Sequence, residues 1–223
     1  MENIRRKINI RVYILAFLIV SLFFLAGFII GDIIAYKKAG TLEVSQRAIS
    51  AFLDLSNMKG KLFSDDTNLD YCNLSWGDIW NEKVGIGAVL TNLELRLGKD
   101  NEKVKEQKKI YNEVQLKTLQ LVKQVNEKCD YGCGIILFFY TNDKKDTKGS
   151  YDLSERQGEI LNTVYERNKD KVKIFSFDTS IGDVNIQFLT TEHNITSTPS
   201  LVINGEPYKG FMSRYEIEKV IKK

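Results

Sequence analysis

The chain is poor in the residues that usually mark chemistry: in 223 residues it has one histidine, three cysteines and two prolines. A lone histidine, His193, leaves any metal site dependent on carboxylates and thiols, and offers a serine-histidine-acid triad a single candidate base. Its simpler reading is a polar residue near a helix end. Neither a phosphate-binding glycine loop nor a dinucleotide fingerprint occurs, so no metal and no cofactor is expected. Surplus charge is scarce as well. The formal net charge is +3, and Arg5, Arg6, Lys7 and Arg11 set against Glu2 account for it. The rest of the chain is neutral, without the basic patch that nucleic-acid binding needs. With 43% hydrophobic and 11% aromatic residues the sequence can bury a core, which excludes a disordered chain.

One long hydrophobic run is present. Val12 to Gly31 is uncharged and mostly apolar, and some 20 such residues span about 30 Å of hydrocarbon as a helix. Residues 12–36 are expected to form a transmembrane helix behind a basic N-terminal segment, residues 1–11. A cleaved signal peptide is the alternative, but the run is longer than usual for one and no small-x-small cleavage site follows it. The basic residues before the run outweigh Lys37 and Lys38 behind it, and Asp32 offsets part of that second pair. The expected arrangement is therefore a single-pass cell-membrane protein with a cytoplasmic N-terminus and an extracytoplasmic C-terminal part.

Residues 41–130 read as helical. Thr41 to about Lys61 has apolar residues at helical spacing, followed by the turn-rich Ser64 to Asn68. A second helix is expected from about Gly77 to Leu97, with Ile86, Val89, Leu90, Leu93 and Leu97 on one face. Gly98 to Asn101 stops it. A third runs from about Glu102 to Lys128, where Tyr111, Val114, Thr118, Leu121 and Val125 form a packed seam. These last two helices should make an antiparallel hairpin. Cys72 and Cys129 then arrive at the same end of it, mismatched by about 3 Å at 1.5 Å per residue, so Cys72–Cys129 is the expected disulfide and Cys133 is left over. Three reduced thiols are the alternative. Asn73 and Asn194 each head a glycosylation acceptor triplet, relevant only in a glycosylating host.

From residue 134 the pattern changes to α/β. Ile135 to Tyr140 is a short apolar, aromatic run, a buried strand. The polar loop from Thr141 to Tyr151, with Lys144, Lys145 and Lys148 against Asp143 and Asp146, reads as a solvated surface loop. A helix over Ser154 to Arg167, a strand over Val172 to Asp178 and a helix from Asp183 to about His193 come next; Val184, Ile186, Phe188 and Leu189 are available for burial. Ser200 to Ile203 and Tyr208 to Phe211 form a hairpin across Asn204-Gly205, and a serine-capped helix over Ser213 to Lys222 closes the chain.

This order, with Thr198-Pro199 heading the hairpin, resembles the thioredoxin superfamily over residues 134–223. The resemblance implies a thioredoxin-like domain with a cis-proline at Pro199 facing the redox loop and the bound substrate backbone. In that family the loop after the first strand carries Cys-x-x-Cys at the next helix's N-terminus, which lowers the first thiol's pKa. Here it has no cysteine, and Tyr151-Asp152-Leu153-Ser154 stands where the dithiol is expected. Serine and tyrosine cannot carry out disulfide exchange.

Two readings follow. The first is a membrane-anchored extracytoplasmic domain with a degenerate redox site, non-catalytic, of chaperone or adaptor type. It would hold a protein or an extended peptide at Ser197, Thr198, Pro199 and Ser200, with Tyr151 and Ser154 opposite, and the helical hairpin would be a spacer or a surface for homo-oligomerisation. The resemblance implies that the residue before the proline pairs its backbone with substrate, which needs no thiol. The second is a thiol-disulfide oxidoreductase using Cys129 and Cys133, with Cys72 as relay. Cys129-Asp130-Tyr131-Gly132-Cys133 has one residue too many for the family dithiol, precedes the strand, and places Asp130 beside a thiolate.

Overall fold

A computed structural model describes residues 10–31, 50, 54, 76–129, 132–169 and 171–221. The chain divides into two compact units, Met1–Arg47 and Ala48–Lys223. In the first, helix α1, Ile10–Gly31, has 22 residues and a mean hydropathy of 2.8 over its most apolar window, and is long and apolar enough to cross a membrane.

The second unit contains α2 (Trp76–Leu97), α3 (Glu102–Cys129), β1 (Gly134–Tyr140), α4 (Tyr151–Arg167) and β2 (Val172–Asp178). A 3-10 turn (Thr179–Ile181), α5 (Val184–Glu192), β3 (Ser200–Ile203), β4 (Glu206–Lys209) and α6 (Arg214–Ile221) complete it. The sheet order is β2-β1-β3-β4. β1 runs parallel to β2 and antiparallel to β3, and β3 pairs antiparallel with β4. A strand flanked on both sides and covered on both faces needs apolar residues at successive positions, and Ile136, Leu137, Phe138 and Phe139 of β1 are all buried.

Alternation along the strands creates two cores. Leu137, Phe139, Phe175, Phe177 and Val202 face Trp80 of α2, Leu119 and Val122 of α3, and Ile186 and Leu189 of α5. On the other face Ile136, Phe138, Leu201 and Ile203 meet Leu161 and Val164 of α4 and Ile217 of α6. The second unit is thus a mixed four-stranded sheet between helical layers.

α2 and α3 pack on each other as the seam predicts, through Ile86, Val114, Leu121 and Val125. Gly98, at φ 86°, ends α2. Gly87 admits the Tyr111 ring, since a Cβ there would lie 2.6 Å from the Tyr111 hydroxyl oxygen. Asn204 and Gly205, at φ 50° and 91°, make the tight turn between β3 and β4 that their sequence signals. Ser213 and Glu216 form a reciprocal cap on α6, with the Ser213 amide 2.7 Å from Glu216 Oε2.

Several boundaries and faces differ from expectation. α4 begins at Tyr151 rather than Ser154, because the Ser150 hydroxyl accepts from the Leu153 amide and caps the helix earlier. β4 begins at Glu206 rather than Tyr208, since pairing starts directly after the turn. Val89 is exposed on α2, and Val184 and Phe188 of α5 are 73% and 70% exposed, leaving Ile186 and Leu189 inward. The expected helix over Thr41 to Lys61, apart from Ser50 and Asp54, and the link from Ser64 to Asn68 lie outside the described residues.

Candidate functional site

The Thr198-Pro199 peptide bond is cis. Pro199 directly precedes β3, and Ser200 pairs with Phe139, so the proline lies at the C-terminal end of β1. α4 also starts at that end. Its first turn, Tyr151 to Ser154, follows the cap Ser150, whose amide donates to Thr198 O at 2.9 Å. Ser154 is buried, and its hydroxyl accepts from the Thr141 amide at 3.3 Å. Tyr151 is half-buried beneath two ammonium groups, Lys144 Nζ at 5.2 Å and Lys99 Nζ at 5.6 Å from the ring centroid. The structure therefore brings Thr198, Pro199 and Ser200 beside the N-terminus of α4, as the sequence indicates. No cysteine occurs between Thr141 and Ser154.

The loop before α4 is more than a solvated connection. Asp143 accepts from the Lys145 amide and Asp146 from the Lys148 amide, each at 2.8 Å, two consecutive side-chain turns that curl the loop back on itself. Its last residues then run beside Thr198 as a parallel bridge at Gly149. The Thr198 amide donates to Lys148 O at 3.3 Å while Thr198 O accepts from Ser150. Both backbone groups expected to meet a bound peptide are thus already paired within the chain. Thr198 is only 9% exposed, Pro199 and Ser200 are buried, and Ser197, half-buried, accepts at its carbonyl from the Ser200 hydroxyl at 2.7 Å. Residues 148–150 occupy this edge, where a bound peptide is expected.

Glycine is required where this strap crosses. A Cβ on Gly149 would collide with Thr198 Oγ1 and lie 2.9 Å from Asp146 Oδ2 and 3.0 Å from Thr141 Cγ2. Thr198 Oγ1 is itself buried with no hydrogen-bond partner, a polar group that the closed arrangement leaves unsatisfied.

A buried polar network supports the site from below. Lys108 of α3 pairs with Asp178 at 2.9 Å and with Glu94 of α2 at 2.7 Å. Asn142, at the start of the loop, donates to Asp178 at 2.8 Å. Burial alone would raise the Asp178 carboxyl, but the Lys108 ammonium and hydrogen bonds from Ser180 outweigh it and hold the group below its ordinary value. The network ties α2, α3, the end of β2 and the loop to one carboxylate.

Comparison with protein-family models and with curated proteins returns no match for this chain.

The described cysteines, Cys129 and Cys133, are elsewhere in the chain. Cys133 immediately precedes β1, about 20 Å along the strand from the proline end at the usual rise per residue. It is a free thiol, 5% exposed. Burial pushes its pKa up to about 11, against a smaller opposite effect of Lys173. Its backbone is clamped by Asn126, which donates to Cys133 O at 2.7 Å and accepts from its amide at 3.2 Å. Cys72, the expected partner of Cys129, lies outside the described residues. His193 caps the end of α5 and, despite its closeness to Pro199 in sequence, lines a cavity of about 390 Å³ with Cys133, Asn126 and Ile135, at the end of β1 remote from the proline.

Sequence reasoning missed the strap. Its signal was Gly149 and the two aspartates spaced three apart, a pattern that says the loop turns but not where it lands.

Proposed function

We propose that the chain is a membrane-anchored, extracytoplasmic protein with a thioredoxin-like domain that has no redox activity and binds an extended segment of a partner protein at Thr198. The single observation that carries this reading is that Thr198-Pro199, at the head of β3, lies beside a helix N-terminus that carries serine and tyrosine in place of thiols. The sheet order β2-β1-β3-β4, with β3 antiparallel and proline at its head, supports the fold assignment. α1, with the basic residues before it, supports an anchor whose N-terminus is cytoplasmic. A Cys72–Cys129 bridge would then close the base of the helical hairpin.

Residues 148–150 act as a built-in occupant of the binding edge. A partner strand gains the Thr198 backbone only by displacing Lys148 O and the Ser150 amide, so binding is an exchange of hydrogen bonds and its net affinity is modest. Thiol-disulfide exchange through Cys129 and Cys133 is disfavoured, because a thiol with a pKa near 11 is almost wholly protonated at neutral pH and lies far from the proline.

The test uses the full-length protein in detergent and a carboxymethylated, permanently unfolded protein as probe. Pro199→Ala is expected to weaken probe binding at least tenfold with a smaller effect on thermal stability. Equal loss of both, or unchanged binding, counts against the reading.

A further inference from the structure

The outer edge of the sheet at β2 has a feature that the proline site does not use. Two side chains cover its unpaired backbone. Gln115 of α3 makes a two-point amide pair with Ser176, donating to its carbonyl at 2.7 Å and accepting from its amide at 2.9 Å. Lys83 of α2 donates from Nζ to Ile174 O at 3.0 Å. Gln115 is satisfied by this, and Lys83 is not. An ammonium has three donors, one is used, and no carboxylate among the described residues pairs with it. Yet Lys83 is only 6% exposed. Its Nζ lies 4.5 Å from the Trp80 ring centroid, 5.1 Å from that of Phe175 and 6.0 Å from that of Tyr111, contacts that replace part of the lost hydration. Burial lowers the ammonium pKa to about 7, as expected for a cation without a counter-ion.

Beside Lys83 is a cavity of about 280 Å³, walled by Trp80, Tyr111, Leu161, Tyr165 and Ile174. Gly158 of α4 also lines it. Glycine is disfavoured inside a helix, and packing does not demand it here, since a Cβ would meet only Phe138 Cε1 at 3.8 Å. Its effect is to leave the cavity wall open.

We propose that this cavity binds a small organic monocarboxylate, with the carboxylate on Lys83 Nζ and the apolar body against Trp80, Tyr111 and Tyr165. One buried lysine compensates one negative charge, so a dianion would leave charge uncompensated in an apolar wall. The volume equals that of about nine waters at roughly 30 Å³ each, the size of a single-ring acid. The site is independent of Thr198 and of the function proposed for it.

Benzoate is the probe, with benzyl alcohol as its uncharged counterpart and inorganic phosphate as a second anion. The full-length protein in non-ionic detergent carries Trp76→Phe, which leaves Trp80 the single indole. Benzoate is expected to change Trp80 emission saturably and to bind at least tenfold more tightly than benzyl alcohol. Lys83→Met should remove that preference, and Gly158→Leu should remove binding of both compounds, with circular dichroism melting checking the fold of each variant. No saturable response, equal binding of benzyl alcohol, preference for phosphate, or undiminished benzoate binding in Lys83→Met would each overturn the proposal. Should Lys83→Met fail to fold, the ratio of the two compounds in the parent protein and the response of Gly158→Leu still decide the matter.

Discussion

Two buried lysines, Lys83 and Lys108, show how the same side chain acquires opposite consequences from its neighbours. Lys108 faces two carboxylates, so removing it would strand Asp178 in the interior. Lys108→Met is expected to destabilise the protein by about 3–5 kcal/mol, the usual cost of breaking a buried pair by one partner; chemical denaturation checks this, and a change below about 1 kcal/mol would show that the network carries little. Lys83 shares its cavity with Tyr111 of α3 and Tyr165 of α4, no acid lines that cavity, and the nearby ammonium of Lys173 lies 4.9 Å from the Trp80 ring. Its pKa falls from 10.5 in the unfolded chain to about 7 in the folded protein. Between those values the unfolded chain holds the proton and the folded protein does not, so stability rises with pH across that window, by up to about 1.4 kcal/mol per unit from this group. Subtracting the Lys83→Met profile from the parent profile between pH 7 and 10 should isolate that slope; a flat difference would contradict it. Neither lysine was marked as special by the sequence, since each sits within a helical pattern that reads polar at those positions.

At the scale of elements, the loop between β1 and α4 decides whether the proline edge is open. Gly149→Ala forces a carbon into the space between Thr198, Asp146 and Thr141, and should release the strap. The Thr198 and Ser150 amides, bonded within the bridge in the parent, would then exchange with solvent faster by an order of magnitude or more, while amides of β1 stay protected. Unchanged exchange at both positions would mean that the strap tolerates the methyl group. The elements themselves were largely legible. Hydrophobic period and turn residues placed α2, α3, β1, β2, the β3–β4 hairpin and α6 because each signal is local, as with Asn204-Gly205 and the Gly98 stop. What could not be read was partnership. Ser150 caps α4 so that the helix starts three residues before the expected Ser154, Phe188 carries a core residue's chemistry on an exposed face, and the strap depends on a contact between residues 149 and 198 that no local window contains.

At the scale of the whole molecule, one unit holds an apolar helix able to span a bilayer and the other a mixed sheet between helical layers, with the proline at one end of that sheet and the described free thiol at the other. That separation favours the proposed binding role over the thiol-disulfide alternative. Disulfide exchange requires a thiolate next to the site that holds the substrate backbone, whereas backbone pairing at Thr198 requires only the strap to give way. The most direct test is turnover of a protein disulfide substrate in the presence of reductant, measured with the full-length protein beside Cys129→Ser and Cys133→Ser. No turnover above background is expected in any of the three, and turnover that disappears with either cysteine would overturn the proposed binding role.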